Sequence, residues 1–195
     1  MKINKVCVYL ASSNKSGSDY LNAAERLGKM FARNEITIVY GGSTIGPMGR
    51  LADAAIKNGG KVIGVMPHFL CDLELNHKGL SELIIVKDMH ERKKKMVENV
   101  DAIIALPGGT GTLEELLEAI TWKRLGILTQ PIILVNINRF YDPLINLFKQ
   151  MVENNFLDNR HRDMWAIVDS TEKVLSAIKN APVWNVNARK FAAVR

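Results

Sequence analysis

Nine consecutive residues concentrate the chemistry of this chain: Pro107-Gly108-Gly109-Thr110-Gly111-Thr112-Leu113-Glu114-Glu115. The apolar run 102–106 precedes them and reads as a buried strand. Apolar residues at Leu113, Leu116, Leu117 and Ile120 follow at helical spacing. The segment therefore sits on a strand-to-helix turn. Gly108, Gly109 and Gly111 allow close approach of the backbone to a ligand. The unpaired N–H groups and dipole of a helix start favour an anion, and a phosphate is the natural guest. The plainer alternative is a tight turn capped by Thr112, but such a turn does not need three glycines and two threonines.

A second constellation lies upstream. On a helix counted at about 100° per residue, Arg92 and Lys93 flank the inward stripe formed by Met89, Met96 and Val100. Glu91, Lys94, Lys95 and Glu98 fall on the solvated side. Two cations beside an apolar face require an anion, a carboxylate or an escape to water. Glu115 falls away from the apolar stripe of its own helix, where a glutamate is ordinarily just solvated. Its place, one turn into a helix whose start should hold phosphate, makes it the candidate carboxylate, with Glu114 and Glu118 as competitors.

Other chemistries are poorly supported. The four histidines show no metal-binding spacing, and no HExxH, CxxC or DxD cluster occurs. Ser12-Ser13 lacks the GxSxG elbow, no GK[ST] closes a P-loop, and the turn at 41–49 does not match GxGxxG. The charge of +6 is spread along the chain except for Arg92-Lys93-Lys94-Lys95, which Glu91 and Glu98 flank. That distribution argues against nucleic acid and suits a small anionic substrate.

The frame must position these groups. At 195 residues, with 47% hydrophobic and 24% charged residues, the chain reads as one globular domain over 1–180 with a patternless tail at 181–195. Cys7 and Cys71 form no disulfide framework, no signal peptide is evident, and no apolar run reaches the roughly 18 residues of a membrane span. A cytoplasmic protein with no membrane contact is expected. Strands are read at 6–11, 36–40, 62–66, 83–86, 102–106, 132–135 and 165–168. Helices are read at 20–34, 51–57, 89–99, from the glycine turn to 125, 141–153 and 171–179, the last capped by Ser170. Residues 68–79 have no clean period and read as a loop or short helix over the site. Continuous apolar strands alternating with helices imply an α/β fold. It is a Rossmann-like, doubly wound parallel sheet in a three-layer α/β/α single domain. Ligands of such folds bind beyond the carboxyl ends of the strands, where both glycine-rich turns lie.

At this point the chain resembles a known family. PGGTGTLEE at 107–115 matches the PGGxGTxxE motif of the LONELY GUY (LOG) family. Met89-His90-Glu91-Arg92-Lys93 is similar to its MHxRK segment, and Tyr40 to Gly49 to its YGGGxxGLMG turn. The resemblance runs from about Val6 to Pro143. It implies hydrolysis of the N-glycosidic bond of an N6-modified adenosine 5′-monophosphate, releasing free base and ribose 5-phosphate. It also implies a homodimer with sites near the interface and no metal or organic cofactor. A general AMP nucleosidase and a non-catalytic nucleotide-binding module are the alternatives. Members are often labelled lysine decarboxylases, but that reaction normally needs pyridoxal phosphate on a Schiff-base lysine, and none is obvious here. By the resemblance, Arg92 and Glu115 form the catalytic pair, and Lys93 with Gly108, Gly109, Thr110, Gly111, Thr112 and Glu114 holds the nucleotide. Glu74 occupies the position of a substrate-contacting carboxylate, and Ser13, Gly42, Ser43, Met89 and Thr121 complete the candidate binding set. The chain departs from the family where Ala11 precedes the two serines and where Ser43 and Pro47 replace a Gly and a Leu. Those departures bear on the base pocket.

Overall fold

A computed structural model describes residues 2–71, 73 and 76–192. Its centre is a seven-stranded sheet in the order β4-β3-β2-β1-β5-β6-β7. The strands are β1 (Lys5–Tyr9), β2 (Thr37–Tyr40), β3 (Val62–Pro67), β4 (Glu82–Val86), β5 (Ala102–Ala105), β6 (Ile132–Val135) and β7 (Trp165–Val168). Every pairing is parallel. The helices are α1 (Ser18–Arg33), α2 (Gly46–Lys57), α3 (His68–Cys71), α4 (Met89–Met96), α5 (Thr110–Arg124), α6 (Asp142–Glu153) and α7 (Val174–Asn180).

The apolar strands supply both faces of the sheet. Val6 and Val8 of β1 point into a core shared with α1, α2 and α7, whereas Cys7 and Tyr9 point into a second core shared with α4, α5 and α6. The expected three-layer arrangement is what forms. Each fully buried Val, Ile or Leu contributes about 1.5–3 kcal/mol by leaving water, so two such cores hold the fold without a cross-link. After β4 the chain returns to the centre, and β5 pairs with the other side of β1. The loops leaving β1 and β5 diverge at that switch point and leave a crevice at the carboxyl ends.

Several boundaries differ from expectation. β1 ends at Tyr9, two residues short of 11, and α4 ends at Met96 rather than 99, with Asn99 reversing the chain at φ 55°. The final helix opens with a 3-10 turn at Thr171–Lys173, and Ser170 makes no side-chain capping bond there. The tail is not patternless: Val186–Phe191 form a 3-10 helix. Trp184 Nε1 anchors it by donating to the Lys123 carbonyl at 2.7 Å, and Phe191 stacks on His161.

Lys123 lies under that tail. Its ammonium is buried, donates to the Gln130 carbonyl at 2.8 Å and sits 5.9 Å from the Trp184 ring centre. Burial lowers its pKa to about 8. Because the unfolded value is about 10.4, the folded state sheds this proton first. The group's destabilising effect is therefore full below pH 8 and relieved as pH rises towards about 10.4. Denaturant melts across that window should show stability rising in the native protein, and Lys123→Met should flatten the rise.

Candidate active site

Arg92 is aimed by its helix. Asp88 caps α4, its carboxylate accepting the Glu91 N–H at 2.9 Å, and Glu91 accepts the Lys87 N–H at 2.8 Å. This reciprocal cap fixes the first turn. Arg92 then passes under the carboxyl end of the sheet, 6% exposed. Its Nε donates to the Val65 carbonyl at 3.1 Å, and its Nη1 to Glu115 Oε1 at 3.0 Å. Residue pairing between β2 and β3 ends at Gly64, just before Val65.

Glu115 is 4% exposed, one turn into α5. Here the structure corrects the sequence reading. The inward stripe of α5 is Thr112, Glu115, Leu116, Ala119, Ile120 and Lys123, while Leu113 is half-buried and Leu117 is 40% exposed. Glu115 thus faces the site, and the leucine expected inside faces out. Burial pushes its carboxyl up to about 7, against the pull of the Arg92 guanidinium. A carboxyl with that value exchanges protons at neutral pH.

The glycine turn forms as expected. α5 begins at Thr110 with Gly109 as its cap residue and no side chain closing the end. Among the described residues the N–H groups of Thr110, Gly111 and Thr112 carry no hydrogen bond, as the first turn of a helix dictates. Gly108 lies against the Thr112 side chain, where a Cβ would come within 2.1 Å of Thr112 Oγ1.

Between these groups lies a cavity of about 380 Å³, within the range of small-molecule sites. Of the expected residues, Ser13, Ser43, Arg92, Gly109, Thr110, Gly111, Thr112 and Glu115 line it. Gly42 sits behind it at φ +82°, its carbonyl accepting the His77 N–H at 2.9 Å. Met89 is half-buried with its sulfur 4.0 Å from Arg92 Nη1. Lys93 is 5% exposed but turns to α5, where its ammonium pairs with Glu114 and lies 3.2 Å from the Glu118 carboxylate. Burial works to lower the Lys93 pKa, but its hydrogen bonds to Glu114 and Glu118 outweigh it and raise the value. Thr121 is on the exposed side of α5, its hydroxyl donating to the Leu117 carbonyl at 2.8 Å. Glu74 lies outside the described residues. Sequence reasoning did not single out the apolar lining, Leu10, Met48, Met66 and Leu70. Its one available signal was position: Leu10 follows β1 and Met66 lies near the end of β3 at the ligand-binding edge, while Met48 lies in the first turn of α2, after the glycine-rich turn. Among its described residues, the segment 68–79 contributes the short helix α3 and a bridge between Asn76 and Ser43.

Comparison with known proteins places the chain in a family. The family described as "Possible lysine decarboxylase" matches residues 48–178. A cytokinin riboside 5′-monophosphate phosphoribohydrolase of Rhodococcoides fascians is 40% identical over 176 residues, 90% of this chain and 89% of that protein. The chain belongs to the LOG family. A second LOG relative, the Arabidopsis thaliana phosphoribohydrolase LOG4, is 42% identical over 163 residues, 84% of this chain and 76% of that protein. Among solved structures, the molybdenum cofactor carrier protein of Chlamydomonas reinhardtii has a TM-score of 0.70 at 18% identity, covering 92% of this chain and 98% of that one. A molybdenum cofactor binding protein of Rippkaea orientalis has a TM-score of 0.69 at 23% identity, covering 92% of this chain and 97% of that one. At these identities the likeness is one of fold. The decarboxylase description of the LOG family finds no support in the cavity: among the described residues no lysine lines it, and the nearby Lys93 is committed to two carboxylates.

Proposed function

We propose that this LOG-family protein hydrolyses the N-glycosidic bond of N6-modified adenosine 5′-monophosphates, giving free base and ribose 5-phosphate. The observation that carries the reading is the buried Arg92–Glu115 pair at 3.0 Å, facing one cavity with the open start of α5. The phosphate sits on the Thr110–Thr112 N–H groups, and its binding energy holds the ribose over Glu115. As the bond between C1′ and the base nitrogen breaks, its electrons leave with the base and positive charge grows on the sugar. The Glu115 carboxylate stabilises that charge and takes a proton from the water that adds to C1′. The departing base takes up a proton from solvent, and Glu115 gives the water's proton back to solvent, which restores the carboxylate. Arg92, always charged, orients the substrate and Glu115. No metal or organic cofactor enters this scheme.

The apolar lining of Met48, Met66 and Leu70 favours a base carrying an alkyl group on N6 over unmodified adenine. The half-buried Leu113 and the exposed Leu117 and Thr121 of α5, with the exposed Leu125 just after it, form the face we assign to a homodimer. A cytoplasmic setting follows from the same reading, and no described helix is long and apolar enough to cross a membrane.

A chromatographic screen of AMP, isopentenyl-AMP, other nucleoside monophosphates and the dephosphorylated nucleosides tests the reading. Base should be released from monophosphates only, and faster from isopentenyl-AMP than from AMP. Equal release from the dephosphorylated nucleosides would remove the phosphate role of the glycine turn, and binding of all monophosphates without turnover would leave a nucleotide-binding module.

A further inference from the structure

We propose that Gly41 is a positioning residue for the reaction: its missing side chain is the seat of the Arg92 guanidinium. The proposal rests on the reading of Arg92 as catalytic. Gly41 follows β2 directly and is buried at the cavity wall. A Cβ built on it would lie 2.2 Å from Arg92 Nη2, far inside van der Waals contact. The next neighbours, Met48 Cε at 3.0 Å and Met48 Sδ at 3.2 Å, end a flexible side chain that can give by a few tenths of an ångström.

The guanidinium has no equivalent freedom. Its Nε is held by the Val65 carbonyl and its Nη1 by Glu115. Nη2 carries no hydrogen bond among the described residues, so it is the amino group left for the substrate. Three constraints thus define one pose: an acceptor on β3, an acceptor on α5 and a bare Cα behind β2. Any side chain at 41 pushes Nη2 away, and the rigid group must surrender at least one of its two hydrogen bonds to move. Gly41 has no positive φ, which leaves the close approach as the reason for glycine here.

Because the displaced atoms end a side chain, Gly41→Ala should fold while its chemistry suffers. The test is a double-mutant cycle of Gly41→Ala, Arg92→Ala and the combination. Turnover of isopentenyl-AMP is read at high enzyme concentration, with pH profiles and thermal melts. Gly41→Ala is expected to lower kcat at least about 10-fold, the scale of a misplaced reacting group, with a smaller change in KM. Its acid limb should move to higher pH, because the displaced guanidinium no longer pulls Glu115 down. Added to Arg92→Ala, the alanine should change turnover less than about 2-fold, since the atom it displaces is gone. Native turnover in Gly41→Ala overturns the proposal, as do costs that multiply in the double variant. Native turnover in Arg92→Ala instead overturns the assignment of Arg92, and the proposal with it. Should Gly41→Ala be too unstable to assay, the melts decide. At pH 6, a double variant that loses clearly less stability than the sum of the two single losses supports the seat, and losses that simply add sink it.

Discussion

Glu115→Gln should lower kcat at least about 100-fold while the protein stays folded, the scale of losing one preorganised charge at a developing cation. Glutamine keeps the shape and still offers an oxygen to Arg92 Nη1, so the loss reports charge and proton acceptance rather than packing. The native protein should gain activity as pH rises through about 7, where Glu115 ionises. That limb should vanish from the residual activity of the variant, which separates it from titration of the substrate phosphate. Stability runs the other way. The folded carboxyl holds its proton to a higher pH than the unfolded value of about 4.3, so its contribution is full below that value and lost as pH rises through about 7. Melts of Glu115→Gln should lack this decline. Turnover within a few-fold of the native rate would exclude Glu115 from the chemistry.

Arg92→Ala should match that loss of turnover and add a cost in stability. Turnover should again fall at least about 100-fold. The variant also leaves a carboxyl buried beside no cation, and removing one partner of a buried pair costs about 3–5 kcal/mol. The penalty depends on charge: at pH 8 Glu115 must be buried ionised or take up a proton, whereas at pH 6 it is already protonated. The stability gap between native protein and variant should therefore narrow as pH falls from 8 to 6, read by denaturant melts in two buffers. A gap independent of pH would mean that the two groups do not feel each other.

Much of this arrangement could be read from the residues. Strand and helix alternate so regularly because a sheet covered on both faces needs unbroken apolar strands, and those runs stand out. Arg92 and Lys93 were legible as cations flanking the inward side of α4, with escape to water left open, because only a few apolar residues mark that side; in the structure both are buried. α5 was not legible in the same way. It carries leucines on two sides, so the spacing of Leu113 and Leu117 looks like a core stripe although Leu117 faces out. The buried carboxylate, Glu115, lies on the stripe that the spacing hides. The partner of Lys93 was hidden for a related reason: helical spacing says that a cation points inward but not which neighbouring helix receives it. The tail escaped because a 3-10 turn held by one tryptophan has no period. No spacing could show that Gly41 meets Arg92, since that contact joins residues brought together only by the sheet.

The central seam also bears on how the protein is made. β1 finds β2 soon after synthesis, but its other neighbour, β5, begins at Ala102. Until Ala102–Ala105 leave the ribosome, one edge of β1 stays open, a template for mispairing. The first hundred residues can supply Ser13, Gly41 and Ser43 but no carboxylate at residue 115. The cavity straddles this late seam, so the nascent chain acquires its Arg92–Glu115 pair only when the two halves of the sheet join. Slow closure there would limit the yield of working protein more than the formation of any single helix.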